Sequence, residues 1–146
     1  MGLKADKNFD QEQKEHYDAV EEKQFFWLTQ NPYIVEVEKK IISKIISSNP
    51  KKILEVGCGE GANIFILKKL KFKGEIVGID YSYKKISFAK SQIPNAKFLA
   101  ANAYRLPFKD GQFDLVFCKN ILHHLSGKKK VIAEMSRVCK KGGEMV

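Results

Sequence analysis

Three glycines alternate at positions 57, 59 and 61 within Ile53-Leu54-Glu55-Val56-Gly57-Cys58-Gly59-Glu60-Gly61-Ala62. A turn without Cβ atoms adopts unusual dihedrals and lets a ligand approach the backbone closely. Amides at the start of a following helix suit a carboxylate or a phosphate. Asp80 stands 19 residues after Gly61. A carboxylate there can accept hydrogen bonds from both hydroxyls of a ribose. The G-x-G-x-G spacing is neither the dinucleotide fingerprint G-x-G-x-x-G nor the triphosphate loop ending in Gly-Lys-Ser/Thr. Taken alone, the glycines also fit a plain strand-to-helix turn. Asp80 could be a helix cap, but Ser82 already offers that role.

The remaining reactive side chains are few. His123 and His124 are the candidate proton acceptors near the cleft, although a packing and capping role accounts for them better than catalysis does. His16 lies in a polar, acidic segment and is expected to be solvated. Cys58, Cys118 and Cys139 are odd in number, widely spaced and without a Cys-x-x-Cys pair. That pattern fits a reduced, cytoplasmic chain and gives no metal-ligand spacing. No metal site is expected.

Composition excludes further classes. The chain has 146 residues, 44% of them hydrophobic, enough for a core and unlike a disordered or disulfide-stapled chain. No apolar run approaches the ~20 residues of a membrane-spanning helix. Residues 1–18 are polar and have no signal-peptide core. Asp6 stands where a myristoylation motif needs Ser or Thr. The formal charge is +9. Residues 1–38 hold four lysines against nine acids, net −5, and residues 39–146 hold 22 cations against eight acids, net +14. All the cations but Arg105 and Arg137 are lysine. Arginine is the residue of forked phosphate and base recognition, so the surplus argues weakly for nucleic acid.

The positioning elements follow from periodicity. Residues 10–30 are helix-like and end in Phe25-Phe26-Trp27-Leu28, read as core or lid packing, with Tyr17 and Trp27 as lid residues. Asn31-Pro32 breaks that helix or starts the next. Ile34, Val37, Ile41 and Ile45 recur at helical spacing. From Lys52 the pattern alternates: strand Lys52–Val56, helix Ala62–Leu70, strand Glu75–Asp80, a helix capped by Ser82, strand Ala96–Ala101, strand Phe113–Cys118 and helix Lys128–Cys139. Lys140-Lys141-Gly142-Gly143 reads as a helix stop before a fifth strand over Gly143–Val146. Such alternation predicts an α/β doubly wound, Rossmann-like parallel sheet behind an N-terminal helical segment. Residues 1–48 form the helical segment or lid and 49–146 the α/β domain. The turns after Val56, Asp80, Ala101 and Cys118 should converge on one cleft, where strand order reverses.

Together these residues resemble the class I S-adenosylmethionine-dependent methyltransferases, and most closely the broad type 11 family. Glu55 through Gly61 resembles its first motif and Ile79-Asp80-Tyr81-Ser82 its second. Ala101-Asn102-Ala103 with Leu106-Pro107-Phe108 resembles its adenine segment. Phe113 through Leu125 resembles its fourth-strand motif, and Lys141-Gly142-Gly143 the turn into strand five. The resemblance covers about residues 50–146. It implies S-adenosyl-L-methionine as cofactor. Gly57, Cys58, Gly59 and Gly61 would line its methionine end, with Glu55 holding the ammonium through water. Asp80 would bind the ribose and Tyr81 would pack on the adenine. Asn102 stands where the family usually has Asp, and its amide oxygen can still accept from the adenine amino group. Ala103 would offer its amide to the ring, and Lys119 would lie beside the methionine moiety.

The resemblance also implies seven strands, whereas this chain stops as strand five begins. The expectation is a fragment, or a partner chain or second copy covering an exposed edge of strand four. The implied activity is methyl transfer to a small-molecule acceptor, with a nucleic-acid acceptor left open. The alternative is a non-catalytic cofactor-binding or partner subunit that retains the fold.

Overall fold

A computed structural model describes Asp18 and residues 23–146. Its elements are α1 (Lys23–Gln30), α2 (Pro32–Ile45), β1 (Lys52–Val56), α3 (Ala62–Lys69), β2 (Glu75–Asp80), α4 (Tyr83–Gln92), β3 (Lys97–Ala100), β4 (Phe113–Phe117), a 3₁₀ turn (Leu122–His124), α5 (Lys128–Val138) and β5 (Cys139–Met145). The five strands form one parallel sheet in the order β3-β2-β1-β4-β5. Strand order therefore reverses between β1 and β4, the doubly wound arrangement that the alternation predicts. Tyr17 and His16 lie outside the described residues.

Local chemistry sets the boundaries. The Asn31 side chain accepts from the amides of Tyr33 and Ile34 at 3.1 and 3.3 Å, and Pro32 occupies the first helical position. Asn31-Pro32 thus starts a helix, because proline there removes a donor that has no helical partner. Ser82 Oγ accepts from the Lys85 amide at 3.2 Å, the expected cap of α4. The same hydroxyl donates to Asp18, and Lys84 Nζ donates to the Asp18 carbonyl at 3.3 Å.

Strand side chains alternate between two apolar layers. Ile53, Ile76, Leu115 and Phe117 pack with Ile64, Leu67, Ile86, Ile42 and Phe25 of the helices on one face. Leu54, Val56, Val77, Ile79 and Val116 pack with Val131, Met135 and Val138 of α5 on the other. Burial on both faces requires near-continuous apolar strands, as the sequence has. At the amino ends of the strands, Asp114 Oδ2 accepts from the amides of Lys51 and Lys52 at 3.1 and 2.8 Å, and Asp114 Oδ1 takes Lys140 Nζ at 2.7 Å.

Two expectations are corrected at the fifth strand. It begins at Cys139, directly after α5, rather than at Gly143. Phe113 faces Cys139 while Leu115 faces Glu144, so residues 140–143 are a bulge, and Gly142 takes φ +77 there. Lysines followed by glycines end a helix, but the same left-handed glycine also builds a bulge. In consequence β4 is not an edge of the sheet, because β5 pairs with it.

Arg137 fastens the loop between β3 and β4. It donates to Glu134 Oε1 and Oε2 at 2.8 Å each, to the carbonyls of Leu106 and Phe108 at 3.0 and 2.8 Å, and to Asp110 Oδ1 at 2.8 Å. Glu134 Oε2 also accepts from the Leu106 amide at 2.7 Å. The guanidinium holds Glu134 well below the usual carboxylate range, at about 2. A depressed carboxylate stabilises the fold above its unfolded value near 4.5, and that stabilisation fades as pH falls toward 2. Melting curves recorded from pH 5 to pH 2 should show Glu134→Gln losing less stability over this window than the wild type.

Candidate functional site

The four predicted turns do meet. Gly57–Glu60 after β1, Asp80–Ser82 after β2, Ala101–Tyr104 after β3 and Lys119–Ile121 after β4 all line one cavity of about 690 Å³. Gln24, Phe25 and Leu28 of α1 and Glu38 of α2 close over it. The cavity sits at the carboxyl ends of the strands, at the switch between β1 and β4.

The glycine turn is shaped from within. Ile79 O accepts from the amides of both Gly57 and Cys58 at 2.8 Å, and Cys58 O accepts from the Gly61 amide at 2.9 Å. The Gly59 amide donates to Asp80 Oδ2 at 2.9 Å. These four amides are thus spent on partners within the protein, one of them the Asp80 carboxylate. What the turn offers is room and curvature. Gly57 has φ +76, and a Cβ there would lie 2.2 Å from Ile121 Cδ1. Gly59 has φ +53 and nothing within 4 Å of its Cβ position.

Asp80 ties the first two turns together. Oδ2 takes the Gly59 amide and Oδ1 takes the Ser82 amide, both at 2.9 Å. Each oxygen keeps lone-pair capacity for a further donor, so the carboxylate can accept from two vicinal hydroxyls. Burial pushes its pKa up, against the two amides and Lys85, which lower it. Lys85 pairs with Glu60 at 3.4 Å, and both line the cavity.

Glu55 lies beneath the turn and is fully buried. Asn63 Nδ2 donates to its Oε1 at 2.6 Å, and Oε2 is buried with no hydrogen-bond partner. Burial raises Glu55 to about 7, opposed by the Asn63 hydrogen bond and the Lys119 charge. A raised carboxylate binds a proton in the folded state that it releases on unfolding, so stability falls as pH rises from 4.5 to 7. Glu55→Gln should therefore raise the melting temperature at pH 8 and change it little at pH 5. A buried carboxyl with one orphaned oxygen is an acceptor that a donor on a nearby ligand cation would complete.

The other predicted residues divide. Gly57, Cys58, Gly59, Asp80, Tyr81, Asn102, Ala103 and Lys119 line the cavity; Glu55 reaches it only through Asn63, and Gly61 caps α3 behind it with φ +86. Asn102 Oδ1 accepts from the Tyr104 amide at 2.8 Å, a bond internal to its own turn. His124 lines the cavity and His123 does not; their rings are 3.7 Å apart, centroid to centroid. Trp27 does not line it and is 59% exposed, whereas Phe25 and Leu28 of the same helix do line it. Sequence reasoning missed Glu38, Asn63, Tyr104 and Ser126 in the lining. Asn63 directly follows the glycine turn and could have been found there. Glu38 gives no local signal.

A family profile described as a methyltransferase domain, type 11, matches residues 54–146. The chain belongs to this family of class I S-adenosylmethionine-dependent methyltransferases. Among curated methyltransferases, demethylmenaquinone methyltransferase of Thermotoga maritima is 31% identical over 108 residues, covering 74% of this chain and 47% of the relative. The chloroplastic tocopherol O-methyltransferase of Arabidopsis thaliana is 35% identical over 117 residues, covering 76% of this chain and 31% of the relative. The chain thus spans about half or less of the methyltransferase relatives it matches. A solved structure from Methanococcus maripaludis superposes with a TM-score of 0.71 at 19% identity, covering 94% of this chain and 62% of that one, which bears on the fold alone. Among the described residues no helix is long and apolar enough to cross a membrane, and no metal-binding cluster of His, Cys, Asp and Glu occurs.

Proposed function

We propose that this chain binds S-adenosyl-L-methionine in the cavity at its strand ends and supports methyl transfer to a small-molecule acceptor. The observation that carries the reading is Asp80, whose two oxygens are each fixed by one backbone amide and aimed into the cavity beside the glycine turn. In this reading Asp80 accepts the ribose hydroxyls. The floor at Gly57 and Gly59 admits the chain of the methionine end, with Gly61 and Cys58 completing the turn. Glu55, through Asn63, faces the ammonium. Tyr81, Asn102 and Ala103 flank the adenine. The bound cofactor supplies an electrophilic methyl on sulfur, so the protein's work is to orient a nucleophile against it and exclude water.

A small-molecule acceptor is supported by the relatives, whose names specify demethylmenaquinone and tocopherol. His124 is the candidate proton acceptor, because it alone of the pair borders the cavity. The scarcity of arginine argues against nucleic acid as the principal partner.

S-adenosylmethionine at about a hundredfold over its Kd should stabilise the folded chain by about 2.7 kcal/mol. That corresponds to a rise in Tm on the order of 5–10 °C for a chain of this size. No shift at saturating cofactor overturns the reading. The second reading is a cofactor-binding or partner subunit that retains the methyltransferase fold and binds the same ligand in this cavity. Binding with no product from any acceptor, together with dimerisation in light scattering, would select it.

A further inference from the structure

Lys119 reaches the cavity from the loop after β4, and its ammonium pairs there with Glu38 Oε2 of α2. The two residues are 81 positions apart. Their side chains are only 22% and 17% exposed, and both line the cavity. The same ammonium eases ionisation of Glu55. Oε2 of Glu55 has no hydrogen-bond partner, while Lys119 is paired with an anion supplied by α2. A ligand ending in an α-ammonium and an α-carboxylate brings both missing charges on a single carbon.

We infer that Lys119 is the specificity residue for the carboxylate of such an amino-acid end, and that Glu38 is the internal anion which this carboxylate displaces. The inference rests on the cofactor reading above and adds to it a named anion partner. Displacement leaves no buried charge unpaired. Lys119 exchanges one carboxylate for another, and Glu38 sits on a helix whose neighbours Val37 and Lys40 are exposed, so it can turn to water. A ligand that lacks the carboxylate leaves the Lys119–Glu38 pair in place. Occupation by the complete ligand therefore loosens α2 from the sheet, and occupation by the shortened one does not.

Calorimetric titration of the full chain with S-adenosylhomocysteine, and with its decarboxylated analogue, tests this. The wild type should prefer the complete ligand by about tenfold or more, the worth of one charge-assisted hydrogen bond. Lys119→Met should erase the preference. Glu38→Gln should tighten S-adenosylhomocysteine several-fold and leave the analogue within about twofold, because only the first competes with Glu38. Circular dichroism melts check that both variants fold. Hydrogen exchange on the wild type provides a readout free of substitutions: amides of residues 32–45 should exchange faster with S-adenosylhomocysteine bound and unchanged with the analogue. Equal affinity of the wild type for both ligands, or weaker S-adenosylhomocysteine binding by Glu38→Gln, makes the pair a structural brace and overturns the inference alone. Failure of the wild type to bind either ligand overturns the cofactor reading as well.

Discussion

Replacing Gly57 with alanine is expected to destabilise the chain by about 2–5 kcal/mol, the combined scale of a left-handed backbone with a Cβ and an overpacked contact. The new methyl would meet Ile121 Cδ1 at 2.2 Å, on a backbone with φ +76. Nor can the turn rotate to escape, since the amides of Gly57 and Cys58 are both held by Ile79 O. Relief has to come from Ile121, which borders the cavity, so the surviving fold should also lose ligand affinity. A double variant, Gly57→Ala with Ile121→Ala, should recover the steric part and keep the backbone part. Chemical denaturation of the two single variants and the double variant gives the coupling. A Gly57→Ala variant within about 0.5 kcal/mol of wild type would show that the turn is not fixed as described.

Asp80→Ala is expected to lower S-adenosylhomocysteine affinity by about a hundredfold or more, because hydrogen bonds to a charged group carry about 1.5–3 kcal/mol each and two are lost. The same change orphans the Gly59 and Ser82 amides, so part of the effect passes through the turn. Asp80→Asn separates the two routes. It keeps one acceptor oxygen and places an amino group against the second amide, so it should retain part of the turn and still bind weakly. Titration calorimetry decides. An Asp80→Ala variant that binds within about threefold of wild type removes the ribose assignment.

What could be read in advance was local. The glycine turn, the acid at the end of β2, the Ser82 cap and the alternation of apolar runs are each encoded within a few residues, and all lie where their spacing places them. The start of the fifth strand is misread for an equally local reason, because one signal has two outcomes: Lys-Lys-Gly-Gly ends helices and also builds bulges. The residues that could not be read are joined across the fold. Nothing near Glu38 announces Lys119, and nothing near Arg137 announces the carbonyls of Leu106 and Phe108 that it grips. Trp27 reads as a lid residue because it is large and apolar, yet two positions along a helix separate the buried Phe25 from the exposed Trp27.

Asp114 holds β1 and β5 at one end of β4, while the cavity opens at the other. A five-residue strand separates the two by about 17 Å. Fastening and recognition therefore draw on different residues. Changes around Lys51, Lys52 and Lys140 alter how firmly the frame holds without touching what it holds, and changes in the loops at the far end do the reverse. A lineage built on such a frame can drift in its choice of acceptor while its scaffold stays under separate selection.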